Sequence, residues 1–443
     1  MTETAPTAAL APQRARIDWI DRLKGFAFFF VILGHLPLKG LLKIGSHAFR
    51  LAVFKSWIYS FHMPLFFFVT GFTYDIDKIA RTRVTTYVLK LVKRMLIPYL
   101  WMELLSMAIH YAIVRINGKG EVTVKHFIGG ILAGNNHLYN APSNPLYFVL
   151  LLFLAELVLF FIVKLTRGNR TLVWTIVLIL LPGTLMTQGV AVYWHANLVP
   201  GVMFMILLGT LLRSAYERRD TFVKDMHPLF KLLIGLVLLC IGAQIWHCNG
   251  RIGLHGNVWG KDFTLAMLSA LASTVGFAFW LMILPAKEWL LSYVGKNTLF
   301  FMGLHKPVLL LLTALWPAQA LKNHNVRFIL LAAVICYLGL TLVTLLLERT
   351  APFILGKPTV KNDLWNRIGQ MLCIVGATFV PYEFVFTHKY FWGVFFKGSV
   401  PLAETPRIIV AAAVYVALCV GAWFAFRALR FPFLIEKAEK KHA

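Results

Sequence analysis

The chain has 443 residues, of which 59% are hydrophobic and only 14% are charged. Its mean hydropathy of +0.71 lies far outside the range of soluble globular domains. This composition indicates an integral membrane protein, and the absence of any long polar segment within the chain excludes a fused soluble domain.

Lys and Arg total 44 against 19 Asp and Glu, which gives a formal net charge of +25. Such a balance can mark a nucleic-acid partner, because basic surfaces bind phosphate. Here the positive-inside rule of membrane proteins explains most of the excess. We therefore expect the lipid bilayer as a partner and no nucleic acid.

Twelve apolar segments approach the roughly 20 residues that a helix needs to cross a bilayer, and none alternates as a membrane strand would. The predicted fold is an all-α polytopic bundle of about twelve transmembrane helices. Lys and Arg are about twice as frequent in the segments predicted inside as in those outside, which places both termini in the cytoplasm. The predicted spans are 19–38, 57–74, 92–114, 146–163, 172–190, 198–212, 232–246, 263–284, 299–315, 328–347, 368–386 and 408–425.

The five cysteines show no C-x-x-C spacing and lie in or beside apolar segments, so they predict packing residues and no metal site. The longest predicted outer loop, 115–145, is dense in Gly, Asn and Pro. It is either an entrance for a polar substrate or an ordinary connector.

Ionisable residues inside spans need a physical reason, because a charge at the bilayer centre costs at least about 2.5 kcal/mol. Lys24 and His35 share one face of the first span, since eleven helical steps return to within about 20° of the starting direction. The helical rise separates them by about 16 Å, with Lys24 near the cytoplasmic headgroups. The alternative is that Lys24 snorkels and His35 merely hydrogen-bonds a neighbouring helix.

The second span places another imidazole, His62, at a depth similar to that of His35. Pro64 should disturb the helix just beyond it and free backbone carbonyls, which protein or water must then satisfy. Two histidines at one depth predict a polar cavity in the outer half of the bundle.

These residues resemble a known family. Lys24 and His35, followed by FHMPLFFFVTGF from Phe61 and KLVKRMLIPY from Lys90, are similar to acyltransferase family 3, the membrane acyl-CoA-dependent O-acyltransferases, and most to its fucose 4-O-acetylase-like branch. LYFVLLLFLAEL from Leu146 and VGKNTLFFMGLHKPV from Val294 resemble later family blocks. The resemblance implies a ten-helix acyltransferase domain over 17–350.

The remaining segments follow from this division. We expect a disordered cytoplasmic tail at 1–16, about two additional transmembrane helices at 351–427 and a basic cytoplasmic tail at 428–443.

The resemblance implies an acyl donor, usually acetyl-CoA, that enters from the cytoplasm. The predicted loop after the second span carries basic residues suited to its phosphates, although a topogenic or lipid-binding cluster is the alternative. Family members more often have Arg at position 24 and an Arg-x-x-Arg where this chain has Lys90-x-x-Lys93, and Lys lacks the bidentate grip of Arg. The predicted donor-binding residues are Lys24, Arg81, Arg83, Lys90, Lys93 and Arg94.

The predicted catalytic residues are His35 as general base, Lys24 and His62, with a covalent acyl-histidine as an open alternative. Asp21 could pair with Lys24. His62 and His305 either contact the acceptor or are structural, and Glu103 and Glu156 are unexplained polar groups within spans. The candidate substrate-binding residues are His62, Glu103, Tyr147, Glu156 and His305.

Together these features predict an acetyl-CoA-dependent O-acetyltransferase of the bacterial cytoplasmic membrane. It would modify a sugar hydroxyl of a cell-envelope glycan or lipid-linked acceptor and use no metal. The main alternative is a multi-pass glycan or lipid transporter or flippase, which would use the same topology but form no acyl product. A protein acyltransferase of the membrane-bound O-acyltransferase superfamily is disfavoured by the histidine in the first span.

Overall fold

The structure is a computed structural model that describes residues 17–36, 41–44, 47–117, 144–285, 288–315 and 326–350, together with 130–131, 134 and 355. Within these residues the chain is mostly helical, as predicted for the bundle. The helices are α1 (Asp18–His35), α2 (Leu51–Thr73), α3 (Ile76–Arg81), α4 (Val84–Leu91), α5 (Ile97–Asn117), α6 (Tyr147–Leu165), α7 (Arg170–Met186), α8 (Val199–Arg218), α9 (Asp220–Asp225), α10 (Pro228–Asn249), α11 (Phe263–Leu281), α12 (Leu290–Lys296), α13 (Thr298–Leu315) and α14 (Val326–Thr350).

Two short antiparallel hairpins accompany the helices. Strand β1 (Leu41–Ile44) pairs with β2 (His47–Arg50), and β3 (Ile252–Gly253) pairs with β4 (Val258–Trp259). Both hairpins lie in segments predicted as outer loops, so they add small sheets at one end of the bundle without changing its helical class.

Each of the first ten predicted spans coincides with a helix. Six helices of the described residues are long and apolar enough to cross a membrane, namely α2, α6, α8 with the 3₁₀ turn before it, α10, α11 and α14, and the apolar α7 and α13 are shorter. The predicted spans 368–386 and 408–425 and both predicted tails lie outside the described residues. The total of twelve spans and the cytoplasmic termini therefore stay predictions.

Large apolar side chains on several helices face outward. On α10, Phe230 is 60% exposed and Val237 is 56% exposed, and on α14 Leu342 is 67% exposed. An apolar outer surface is what a lipid-facing helix requires.

Polar residues at the helix starts satisfy backbone amides that have no partner within the helix. The side chains of Asp75, Asn169 and Asp262 accept hydrogen bonds from backbone N–H groups in the first turns of α3, α7 and α11. These caps define the residues at which α3, α7 and α11 begin.

Small residues bring two pairs of helices into backbone contact. A Cβ atom added at Gly71 of α2 would lie 1.9 Å from the carbonyl oxygen of Ile206 in α8, and one added at Gly209 would lie 2.1 Å from that of Phe68. Gly25 of α1 and Gly295 of α12 make an equivalent approach. Such small-residue contacts are the usual means of close helix packing in membranes.

The segment between the second and third spans is more ordered than a loop. It folds into α3, α4 and a π-helical turn over Val92–Leu96 that leads into α5. The expected disturbance at Pro64 is also limited, because α2 continues through this proline to Thr73.

Candidate active site

A cavity of about 580 Å³ opens where α1 ends and α2 begins. Its walls come from these two helices, from the start of α6, from α13 and from the β3–β4 hairpin. The distribution of Lys and Arg along the chain predicts that this end of the bundle faces the outer side of the membrane. Its polar lining residues include His35, Lys55, Tyr59, His62, Tyr147, Arg251, His255 and Lys306.

His35 lies at the last position of α1 and is partly exposed to the cavity. Its imidazole ring contacts that of His305 in α13, with ring centroids 4.9 Å apart. His305 is fully buried, and its Nδ1 lies 3.2 Å from the carbonyl oxygen of Phe301. A carbonyl oxygen only accepts, so Nδ1 is the protonated nitrogen and Nε2 is left as an acceptor. Among the described residues this Nε2 has no hydrogen-bond partner.

His62 is also buried and lines the cavity from α2. Its Nδ1 lies 2.7 Å from the carbonyl oxygen of Ile58, which again leaves Nε2 as the basic nitrogen. The Tyr59 ring packs edge-on against His62 at 4.9 Å, and its hydroxyl donates to the carbonyl oxygen of Gly34 at 3.1 Å. This bond ties α2 to the residue next to His35.

Three basic side chains, those of Lys55, Arg251 and Lys306, line the same cavity. Lys306 follows His305 on α13, and Arg251 precedes the β3–β4 hairpin. Lys55 on α2 donates to the carbonyl oxygen of Leu36 at 3.2 Å. Sequence analysis missed all three as site residues, although Lys306 was recognisable as an ionisable residue within a span.

Tyr147 and His255, which both line the cavity, form a cluster of three rings with His195. Tyr147 lies 4.7 Å from His195 and 5.0 Å from His255, and the two imidazoles are 5.0 Å apart. Trp194 and His195 both have left-handed backbone angles, φ 54° and 51°, which are uncommon for such side chains. The cluster therefore depends on loop conformations that no sequence pattern signalled.

Glu156 lies within α6, away from this cavity, and pairs with Arg94. The Nη2 atom of Arg94 is 2.5 Å from Oε2 of Glu156, and the hydroxyl of Tyr87 donates to the same oxygen at 3.4 Å. Burial and the neighbouring Glu156 carboxylate raise the pKa of the Tyr87 phenol, so it remains a hydrogen-bond donor. Arg94, predicted to bind the donor, thus has an internal partner.

Four other predicted donor-binding residues follow the far end of α2, which lies about 15 Å along the helix from its last cavity-lining residue, Met63. Arg81, Arg83, Lys90 and Lys93 are all exposed. Arg81 also lines a cleft of about 420 Å³ with Lys164 and Arg167. This surface is basic and open to solvent, as a site for phosphates requires.

Lys24 and Asp21 form the predicted pair, with Lys24 Nζ 2.7 Å from a carboxylate oxygen of Asp21. The neighbouring Arg22 is buried and donates to the carbonyl oxygens of Leu281 and Leu284 at the end of α11, so it caps that helix. Sequence analysis did not single out Arg22.

The structure thus brings His35, His62 and Tyr147 to one cavity, with His305 packed directly behind His35. Lys24, Glu103 and Glu156 are not among the described residues that line it, although Glu103 is buried in α5. Their predicted roles, like those of the basic residues, stay predictions.

Within the described ranges, no group of three or more His, Cys, Asp or Glu side chains could hold a metal ion.

Comparison with known proteins identifies the family of the chain. A family model described as an acyltransferase domain, that of acyltransferase family 3, matches residues 17–348. No curated protein and no solved structure matches the chain. The matched region includes every residue of the histidine-lined cavity and of the basic surface. Since it covers most of the 443 residues, the chain belongs to acyltransferase family 3 and is a multi-pass membrane acyltransferase.

Proposed function

We propose that this protein is an acetyl-CoA-dependent O-acetyltransferase of the bacterial cytoplasmic membrane that acetylates a sugar hydroxyl of a cell-envelope or exported glycan. The observation that carries the proposal is the position of His35. It faces a cavity large enough for a sugar and is backed by the imidazole of His305.

In the proposed reaction, His35 removes the proton from the acceptor hydroxyl while the oxygen attacks the carbonyl carbon of the acetyl thioester. The tetrahedral intermediate then collapses, the C–S bond breaks, and the imidazolium returns its proton to the thiolate of CoA. Imidazole suits both steps because its ordinary pKa lies near neutrality. General-base catalysis of this kind typically contributes about 10² to 10⁴ in rate.

Other cavity residues support this step. The Nε2 of His62 is oriented as an acceptor and can hold a second hydroxyl of the sugar. The Lys306 ammonium lines the cavity one residue after His305, and a cation there would stabilise the developing oxyanion. His305 acts as a positioning residue through its contact with His35.

The donor would bind from the opposite side. The exposed Arg81, Arg83, Lys90 and Lys93 would hold the phosphates of CoA, while the pantetheine arm runs into the bundle along the face of α1 that carries Lys24. Arg94 contributes less than its position implies, because Glu156 already neutralises its charge.

Labelled acetyl-CoA tests the proposal. The purified full-length protein, reconstituted in lipid and incubated with an envelope glycan fraction, should move label from CoA to sugar. A transporter would instead carry glycan into sealed vesicles without labelling it. Label trapped on the protein in the absence of glycan would identify an acyl-histidine route in place of direct transfer.

A further inference from the structure

The cavity wall carries cationic charge that the described structure does not balance. Lys306 and Arg251 both line it, and no Asp or Glu does so among the described residues. Neither cation forms an ion pair within the part of the chain that the structure describes. The ionisable groups that interact with His35 are likewise basic, namely His305, Lys306, His62 and Lys55.

The position of Lys306 makes this imbalance significant. It lies inside α13 and is only partly exposed, in surroundings formed by Val31, Met302 and the aromatic rings of the cavity. A lysine inside a membrane-spanning helix is costly unless another group compensates its charge, so its retention needs a compensating interaction. An anion that enters the cavity supplies one, and Coulomb attraction is strong where the effective dielectric constant is low.

Arg251 adds a second cation at the mouth of the cavity, which also favours an anion there. Its guanidinium is exposed and presents the planar fork that binds carboxylate or phosphate through two hydrogen bonds.

We infer that the acceptor is an anionic carbohydrate, with a carboxylate or a phosphate close to the hydroxyl that is acetylated. This inference rests on the proposed function and specifies its acceptor. Arg251 would hold the anionic group at the mouth, and Lys306 would meet the charge that develops beside His35. The donor phosphates have a separate basic surface at the other end of α2, so Arg251 is left for the anionic group of the acceptor.

The test uses the full-length protein in lipid nanodiscs, with labelled acetyl-CoA and envelope glycans separated by anion exchange into neutral and acidic fractions. Label in the acidic fraction is expected. Label in the neutral fraction, or equally in both, would overturn the inference while leaving the acetyltransferase in place. Label in neither fraction would remove the proposed function and the inference together.

Chemical treatment of the acidic fraction identifies the anion. Carbodiimide activation followed by borohydride reduces sugar carboxylates to alcohols, and hydrofluoric acid removes phosphate esters. Loss of acceptor activity after one treatment assigns the charged group. Full activity after both treatments would overturn the inference.

A variant test separates acceptor from donor. Arg251→Gln should raise the KM for the acidic acceptor about tenfold or more and leave the KM for acetyl-CoA within about twofold. Arg251→Lys should lie between Arg251→Gln and the native protein, and Lys261→Gln is the control because Lys261 is exposed and does not line the cavity. A raised KM for acetyl-CoA alone, or no change in either, would overturn the inference.

Discussion

The imidazole rings of His35 and His305 lie 4.9 Å apart, although they belong to the first and the ninth predicted spans. His305 Nδ1 hydrogen-bonds the carbonyl oxygen of Phe301, and its Nε2 is buried with no hydrogen-bond partner among the described residues. The two rings therefore meet by packing, which restricts the orientation of the His35 imidazole. The contact with His305 therefore supports the proposed role of His35 as general base, which its position in α1 alone would not.

Loss of the base should abolish transfer. We expect His35→Ala to lower kcat by about 10² to 10⁴, measured as labelled acetate moved to glycan. Because His35 lies at the end of its helix and is partly exposed, the protein should still insert and accumulate. His247→Ala is the matched control, since His247 is exposed at the end of α10. Native activity in His35→Ala would refute the assigned role.

His305 should affect turnover more than binding. We expect His305→Leu, which fills the space without a polar nitrogen, to lower kcat about tenfold or more while both KM values stay within about twofold. His305→Gln should recover part of the rate because its amide can hydrogen-bond both Phe301 and His35. Equal kcat in the native protein and His305→Leu would show that His305 only packs.

The Arg94–Glu156 pair should respond asymmetrically to mutation. The Arg94 side chain is 52% exposed, whereas that of Glu156 is 5% exposed. Arg94→Gln leaves a buried carboxylate without its cation and should cost about 1 to 3 kcal/mol of stability, but Glu156→Gln leaves a guanidinium that water still solvates. Thermal unfolding in detergent measures both. A larger loss in Glu156→Gln would contradict this account.

The exposed basic residues should act on the donor. We expect Lys90→Gln combined with Lys93→Gln to raise the KM for acetyl-CoA several-fold and to weaken its dependence on salt, because exposed charges are screened. Arg94 is left intact so that stability does not confound the result. Arg218→Gln, another exposed basic substitution on the predicted cytoplasmic side, is the control. An unchanged KM would leave Lys90 and Lys93 as topology signals.

The glycine contacts should limit substitution. Gly71→Ala places a Cβ atom 1.9 Å from the Ile206 carbonyl oxygen, so α2 and α8 must separate. We expect a destabilisation of about 1 to 3 kcal/mol, the usual range for overpacking. Gly339→Ala in α14 is the control, because nothing lies within 4 Å of its added Cβ. Equal unfolding temperatures for the two variants would argue against a close α2–α8 contact.

The helices were predictable from sequence because apolar length is a strong signal, and α6 agrees with its predicted span within two residues at either end. Helix α4 was not predicted, because its eight residues are too few to signal a membrane span and only Leu91 among them is buried. His35 and His62 were found as imidazoles inside spans. Arg251 and His255 were missed because they lie in a turn, and only the folded chain places that turn over the cavity.

The contact between Gly71 and Gly209 constrains how catalysis can proceed. Helix α2 carries Tyr59 and His62, and its backbone touches that of α8 with no side chain between them to give way. We expect this contact to hold Tyr59 and His62 in place, because the rocking of this helix pair that alternating access demands would break it. We expect the two substrates to travel to a stationary meeting point, with adaptation confined to the hairpins and loops at its entrance.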